Sequence, residues 1–224
     1  MRFVSLFAGI GGLDLGLERA GWECVTQVEW DPWCQQILNK HWPEVPKYAD
    51  VRDVSGSALP AADAIVGGFP CQPVSQAGRQ KGTSDERWLW PEVARLVGEI
   101  RPRYVVVENV PGLRSHGGTE VVTDLATLGY DSEWGELSAA AVGAPHLRNR
   151  FFLVAHTDTS GRDGRPRIFR SRRRSESAHS GQWATEPDMG RVAHGIPRRV
   201  DRLRGLGNAV VPQVAETLAH MIDV

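Results

Sequence analysis

Five short apolar runs, at residues 3–7, 24–28, 64–66, 104–107 and 151–154, are mostly β-branched or aromatic and are bounded by glycine, proline or charge. Runs of that length read as strands buried on both faces. Between them the apolar spacing changes to that of a helix. Leu13, Leu17 and Ala20 mark one helical face, and behind Pro91, a favoured first helical residue, Val93, Leu96, Val97 and Ile100 fall at i, i+3, i+4 and i+7. Pro212 opens a third helix with Val214, Leu218, Met221 and Ile222 on one face. Strands alternating with amphipathic helices predict an α/β fold, a doubly wound, mainly parallel sheet covered on both faces.

The 224 residues, 41% hydrophobic and 24% charged, suffice for one main domain with a small annex. Three cysteines, and 24 glycines without a Gly-X-Y period, exclude a disulfide scaffold and collagen. No apolar run is long enough to span a membrane. The apolar start after Arg2 imitates a secretory signal, but Gly9, Gly11, Gly12 and Asp14 interrupt it and no small-residue cleavage pattern follows. The expected location is therefore cytoplasmic. Cys24, Cys34 and Cys71 are odd in number and widely spaced, which fits a reducing compartment and no zinc site of cysteines alone; no metal is expected.

A net charge of −1 hides a division: residues 1–144 carry 12 basic against 19 acidic side chains, whereas residues 145–224 carry 14 arginines against 8 acids. Arg162, Arg165, Arg167, Arg170, Arg172, Arg173 and Arg174 crowd a stretch rich in Arg, Ser and Gly. Such density suits phosphate neutralisation and fits a solvated basic loop equally well.

Phe7-Ala8-Gly9-Ile10-Gly11-Gly12 falls where the first strand gives way to a helix. Glycines there permit a tight turn and close approach of a ligand to the backbone, and the helix start offers unpaired amides. The dinucleotide fingerprint fails because its third glycine position is Asp14, which disfavours a nicotinamide cofactor. Glu29 ends the next strand, where a carboxylate accepts from two ribose hydroxyls; Trp30 beside it can stack on a purine, and Asp50 can accept from an exocyclic amine. Each has a plainer reading, as a helix-terminal charge, a core indole and a turn residue. Their order together favours an adenosyl ligand.

Cys71 follows a buried strand inside the rigid Gly67-Gly68-Phe69-Pro70-Cys71-Gln72-Pro73, where open α/β sheets place ligands and chemistry. The alternative is a small buried thiol, which suits Cys24 and Cys34 far better. Glu108 ends the strand begun at Tyr104, so a parallel arrangement brings it to the same sheet edge as Cys71. An acid there is expensive to bury without a partner. Arg148 and Arg150, two apart before Phe151, point to one side of a strand and are candidates for that partner.

These segments resemble the DNA (cytosine-5)-methyltransferases. The resemblance rests on Phe-Ala-Gly-Ile-Gly-Gly at 7–12, Gly-Phe-Pro-Cys-Gln at 68–72 with Gly-Arg-Gln-Lys-Gly at 78–82, Glu108-Asn109-Val110, the Arg-x-Arg at 148–150, and Gly207-Asn208-Ala209-Val210-Val211-Pro212. They stand in the family's order and cover roughly residues 2–155 and 205–222. No single motif is decisive, but the ordered set of five is highly specific.

The resemblance implies a Rossmann-like, S-adenosylmethionine-dependent methyltransferase fold. Residues 1–155 would form the catalytic and cofactor-binding domain, completed by 205–224, and residues 156–204 a short arginine-rich target-recognition segment. Phe7, Ile10, Gly11, Gly12, Val51, Pro70, Leu89, Asn208 and Ala209 are implied cofactor contacts, with Glu29 on the ribose, Trp30 on the adenine and Asp50 on its amine. Cys71 would add to carbon 6 of a flipped-out cytosine, Glu108 would bond or protonate nitrogen 3, and Arg150, supported by Arg148, would hold the carbonyl oxygen. Gln72, Ser75, Arg79 and Lys81, in the loop after the cysteine, and Arg162, Arg165, Arg167, Arg172, Arg173 and Arg174 are the implied DNA contacts.

Two departures from the family pattern stand out. His146 takes the place of the glutamine that usually precedes the arginine pair, and the stretch at 156–204 is shorter than the usual recognition domain. The implied partners are duplex DNA and a cognate restriction endonuclease, with a monomeric chain and no membrane. Methylation of cytosine in tRNA is the alternative reaction, and a catalytically silent nucleic-acid-binding module is the alternative of another class.

Overall fold

The structure, a computed structural model, describes residues 1–70, 88–157, 168–169 and 199–222. The anticipated strands form as β1 (Arg2–Leu6), β2 (Glu23–Val28), β4 (Ala64–Gly67), β5 (Tyr104–Asn109) and β7 (Asn149–His156). Two further strands, β3 (Lys47–Tyr48) and β6 (Asp131–Ser138), occupy the two edges. Neither carries an apolar run, because an edge strand is not enclosed on every side.

The sheet order is β3-β2-β1-β4-β5-β7-β6. Strands β1 to β5 are mutually parallel, whereas β7 runs antiparallel to both β5 and β6. The chain builds outward from β1 through β2 and β3, then returns to the other side of β1 with β4. That reversal leaves a crevice beyond the carboxyl ends of β1 and β4, where open α/β sheets bind ligands.

Six described α-helices accompany the sheet: α1 (Gly12–Arg19), α2 (Pro32–His41), α3 (Trp90–Ile100), α4 (Gly118–Thr127), α5 (Arg199–Asn208) and α6 (Pro212–Ile222). Side chains alternate across each strand and build a core on each face. Phe3, Val66 and Val106 pack with Leu13 and Leu17 of α1 and Val214 and Leu218 of α6. Val4, Leu6, Ile65, Val105 and Val107 pack with Trp90, Val93 and Leu96 of α3 and Val121 and Leu125 of α4. Among the described residues no helix is long and apolar enough to cross a membrane.

A small polar cluster is buried between α1, β1 and β2. Asp14 of α1 is fully buried and accepts from the Ser5 hydroxyl at 2.6 Å and from Gln27 Nε2 at 2.7 Å. Burial pushes its carboxyl up to about 6, against the two hydrogen bonds.

Candidate active site

A cleft of about 650 Å³ opens at the reversal, between the ends of β1, β4 and β5 and the C-terminal part of the chain. Its floor is the first turn. Phe7, Gly9 and Gly11 adopt positive φ angles of 56°, 58° and 81°, which bend the chain sharply out of β1. Phe7, Gly9 and Gly12 line the cleft, whereas Ile10 and Gly11 do not. Gly11 instead backs onto the Trp42 ring, where a Cβ would collide, and Ile10 lies against Gly205.

Glu29, Trp30, Asp50 and Val51 line one end of the cleft. Glu29 Oε2 accepts from the Gly9 N–H and Oε1 from the Asp31 N–H, each at 2.7 Å, so the carboxylate joins the end of β2 to the first turn. Burial raises its pKa, and the Gly9 hydrogen bond opposes the rise. Each oxygen keeps a lone pair for a diol in the cleft. Trp30 is not core: it is 67% exposed at the rim, with the Arg52 guanidinium 5.9 Å from its ring centroid. Asp50 caps the single turn Val51–Asp53 and is ion-paired to Arg52 at 2.5 Å. The Arg52 hydrogen bonds hold the Asp50 carboxyl below its ordinary range.

Pro70 and Leu89 line the other end with Glu108, Asn109 and Arg150. Every residue of β5 is buried, so the apolar run delivers Glu108 to the crevice at only 8% exposure. Arg150 Nε lies 3.0 Å from Glu108 Oε1. Burial pushes the Glu108 carboxyl up to about 7, against the pull of Arg150 and Arg148. A site at that value holds both protonation states near neutrality. Asn109 Nδ2 donates to the Phe69 carbonyl at 3.2 Å, and Phe69 packs edge-on to Trp88 with ring centroids 5.1 Å apart. These contacts fix the chain immediately before Pro70-Cys71.

The Arg148 side chain, besides its charge acting on Glu108, reaches the C-terminal part of the chain. Its guanidinium donates to the carbonyls of Leu206 at 3.1 Å, Gly207 at 2.8 Å and Ala209, with Nη2 at 2.5 Å from the last. Asn208 and Ala209 line the cleft, so the C-terminal motif reaches the site. Arg204, inside the stretch read as target recognition, also lines it and pairs with Asp31. Its only advance signal was its nearness to the Gly207–Pro212 motif. Gly68 is a further contributor, because a Cβ there would strike the Glu108 carboxylate.

Cys71 lies outside the described residues, as do Gln72, Ser75, Arg79, Lys81, Arg162, Arg165, Arg167, Arg172, Arg173 and Arg174. The described part therefore holds an acid beside a guanidinium at one end of a cleft and a carboxylate beside an exposed indole at the other.

The family model described as C-5 cytosine-specific DNA methylase matches residues 1–186. Type II methyltransferase M.HhaI of Haemophilus parahaemolyticus is 39% identical over 159 residues, covering 69% of this chain and 48% of that protein. Type II methyltransferase M.NgoMIV of Neisseria gonorrhoeae is 40% identical over 166 residues, covering 69% of this chain and 52% of that protein. The chain thus spans about half the length of the curated relatives it matches. The crystal structure of S. pombe Dnmt2 methyltransferase shares the fold, with a TM-score of 0.61 at 23% identity over 72% of this chain and 52% of that one.

Proposed function

The chain belongs to the C-5 cytosine-specific DNA methylases, and from that membership we propose that it transfers a methyl group from S-adenosylmethionine to carbon 5 of cytosine in duplex DNA. The observation that carries this reading is the Glu108–Arg150 pair, set in the same cleft as Glu29 and Trp30.

The cleft fits the cofactor. Its volume is that of a nucleoside-sized ligand site. Glu29 has acceptor capacity for a ribose diol, and Trp30 offers an indole face at the rim. Phe7, Gly12, Val51, Pro70, Leu89, Asn208 and Ala209 would complete the walls, and Asp50 would reach the adenine amine beside Arg52. When bound, S-adenosylmethionine supplies the methyl group as an electrophile.

The chain's own residues prepare the acceptor. A Cys71 thiolate adding to carbon 6 of cytosine makes carbon 5 nucleophilic, and later loss of the carbon 5 proton lets the carbon–sulfur bond break and returns the thiolate. Glu108, as the neutral acid, donates to nitrogen 3 and relieves the charge that thiolate addition places on the ring. Arg150 orients that acid and extends toward the base's carbonyl oxygen. The base must leave the helical stack to meet these groups, at a cost of about a few kcal/mol. A cytoplasmic, monomeric chain with a cognate restriction endonuclease completes the reading, and sedimentation of the purified chain tests the monomer.

The deciding experiment is transfer of labelled methyl from S-adenosylmethionine to duplex DNA by the wild type and Cys71→Ser. Label at carbon 5 of cytosine that vanishes in the variant supports the reading. Label entering tRNA instead of DNA moves the substrate to RNA. Cofactor binding without transfer to either leaves a silent binding module.

A further inference from the structure

Arg148 stands between two functional parts of the molecule, and among the described residues its hydrogen bonds go to one of them. It precedes β7, the strand that carries Arg150, with a φ of 33°, a left-handed conformation unusual for a residue with a side chain. From there its guanidinium spans the carbonyls of Leu206, Gly207 and Ala209. Helix α5 ends at Asn208, so two of these carbonyls belong to its last turn, where the helix cannot satisfy them. The helix has no cation of its own there. A fork of N–H donors also complements the negative end of the helix dipole.

The same turn is a wall of the cleft. The chain on either side of it is tied down as well: before it Arg204 pairs with Asp31, and after it Val210 packs so closely on Gly12 that a Cβ there would meet its carbonyl. The wall is therefore held by Arg204 on Asp31 before the turn, by Arg148 at the turn, and by Val210 on Gly12 after it.

We infer that Arg148 is a positioning residue for the cofactor, acting through the C-terminal turn of α5, and that it makes no contact with the target base. The inference rests on the methyltransferase reading of the cleft. It assigns the two arginines different duties: Arg150 serves the base through Glu108, and Arg148 sets the shape of the cofactor wall.

The test measures S-adenosylhomocysteine binding by calorimetry, and duplex binding at saturating S-adenosylhomocysteine, for wild type, Arg148→Lys, Arg148→Gln and Arg150→Lys. Lysine keeps the charge and loses the fork; glutamine keeps a planar donor and loses the charge. Losing one or two charged hydrogen bonds predicts S-adenosylhomocysteine affinity roughly 10- to 100-fold weaker in both Arg148 variants, with the KM for cofactor rising in step. Duplex affinity stays within about twofold of wild type, since no base contact is removed. Arg150→Lys shows the reverse split, with slower transfer and unchanged cofactor affinity. Unchanged S-adenosylhomocysteine affinity in a folded Arg148 variant, or weakened duplex binding in its place, overturns the assignment alone. A wild type that does not bind S-adenosylhomocysteine overturns the methyltransferase reading and this inference with it.

Discussion

Gly68 and Glu108 sit side by side just past β4 and at the end of β5, so closely that a Cβ on Gly68 would strike the Glu108 carboxylate. The severe clash is with the tip of the Glu108 side chain, and the backbone carbonyl of Glu108 at 3.3 Å need give only a few tenths of an ångström, so the fold can yield there while the acid cannot keep its place. Gly68→Ala is expected to unfold within a few degrees of wild type and to lose roughly 100-fold in methyl transfer, the scale of a reacting group misplaced by about 1 Å. Thermal unfolding and single-turnover transfer, measured on the same preparation, check both halves. Full activity in the alanine variant sinks the argument that the glycine reserves space for the acid.

The Glu108 carboxyl, pushed up to about 7 by burial, gives the reaction a pH signature. If the neutral acid serves nitrogen 3, its contribution is full below that value and is lost as pH rises through it. Glu108→Gln keeps a neutral donor and has no proton to lose. The variant is expected to transfer more slowly and to lack the alkaline fall near 7. The stability linkage has the same sign. A folded pKa above the unfolded one of 4.5 favours the fold below 4.5, and this contribution is lost as pH rises through about 7.

Asp14 makes a separate prediction for stability. Its folded pKa of about 6 exceeds the ordinary value of 3.8, so its contribution is present below 3.8 and disappears as pH climbs through 6. The difference corresponds to about 3 kcal/mol of penalty for the ionised form above that window. Gln27 Oε1 is buried and has no hydrogen-bond partner among the described residues. Rotating the Gln27 amide offers that oxygen to an asparagine at position 14. Asp14→Asn should therefore fold, gain stability at pH 8, and show a flatter dependence between pH 4 and 6 in urea titrations. A steeper dependence in the variant contradicts the assignment.

The strands were legible where burial on both faces leaves an apolar run, and the same runs delivered Glu29 and Glu108 to the ends of β2 and β5. Strand β6 was not legible, because at the sheet edge its residues are only half-buried or exposed and its Glu133, Trp134 and Glu136 break up any apolar run. The first turn was visible as a glycine cluster, but periodicity could not say which of its residues face the cleft: Gly12 does, and Gly11 backs onto Trp42. Arg148 and Arg150 look equivalent as a two-residue repeat. Only the fold separates them, by bringing the end of α5 under one guanidinium and the end of β5 under the other. The Arg204–Asp31 pair joins distant parts of the chain that no local pattern connects.

At two helical glycines local propensity and packing part ways, for they disagree at Gly16 and agree at Gly98. Replacing a helical glycine by alanine gains about 0.5–1 kcal/mol from the unfolded chain's lost freedom. Gly98 of α3 has room for the change: its nearest neighbour would be Leu128 Cδ2 at 3.6 Å, an ordinary contact. Gly16 of α1 has none, since a Cβ would meet the Pro212 carbonyl and the Ala215 side chain where α6 packs against α1. Backbone cannot step aside as a side-chain tip can, and overpacking costs about 1–3 kcal/mol. Gly98→Ala should raise the unfolding midpoint and Gly16→Ala should lower it, by opposite shifts of a few degrees. If Gly16→Ala is also stabilising, α6 does not rest on α1 as closely as the structure places it, and the C-terminal wall of the cleft loses its foundation.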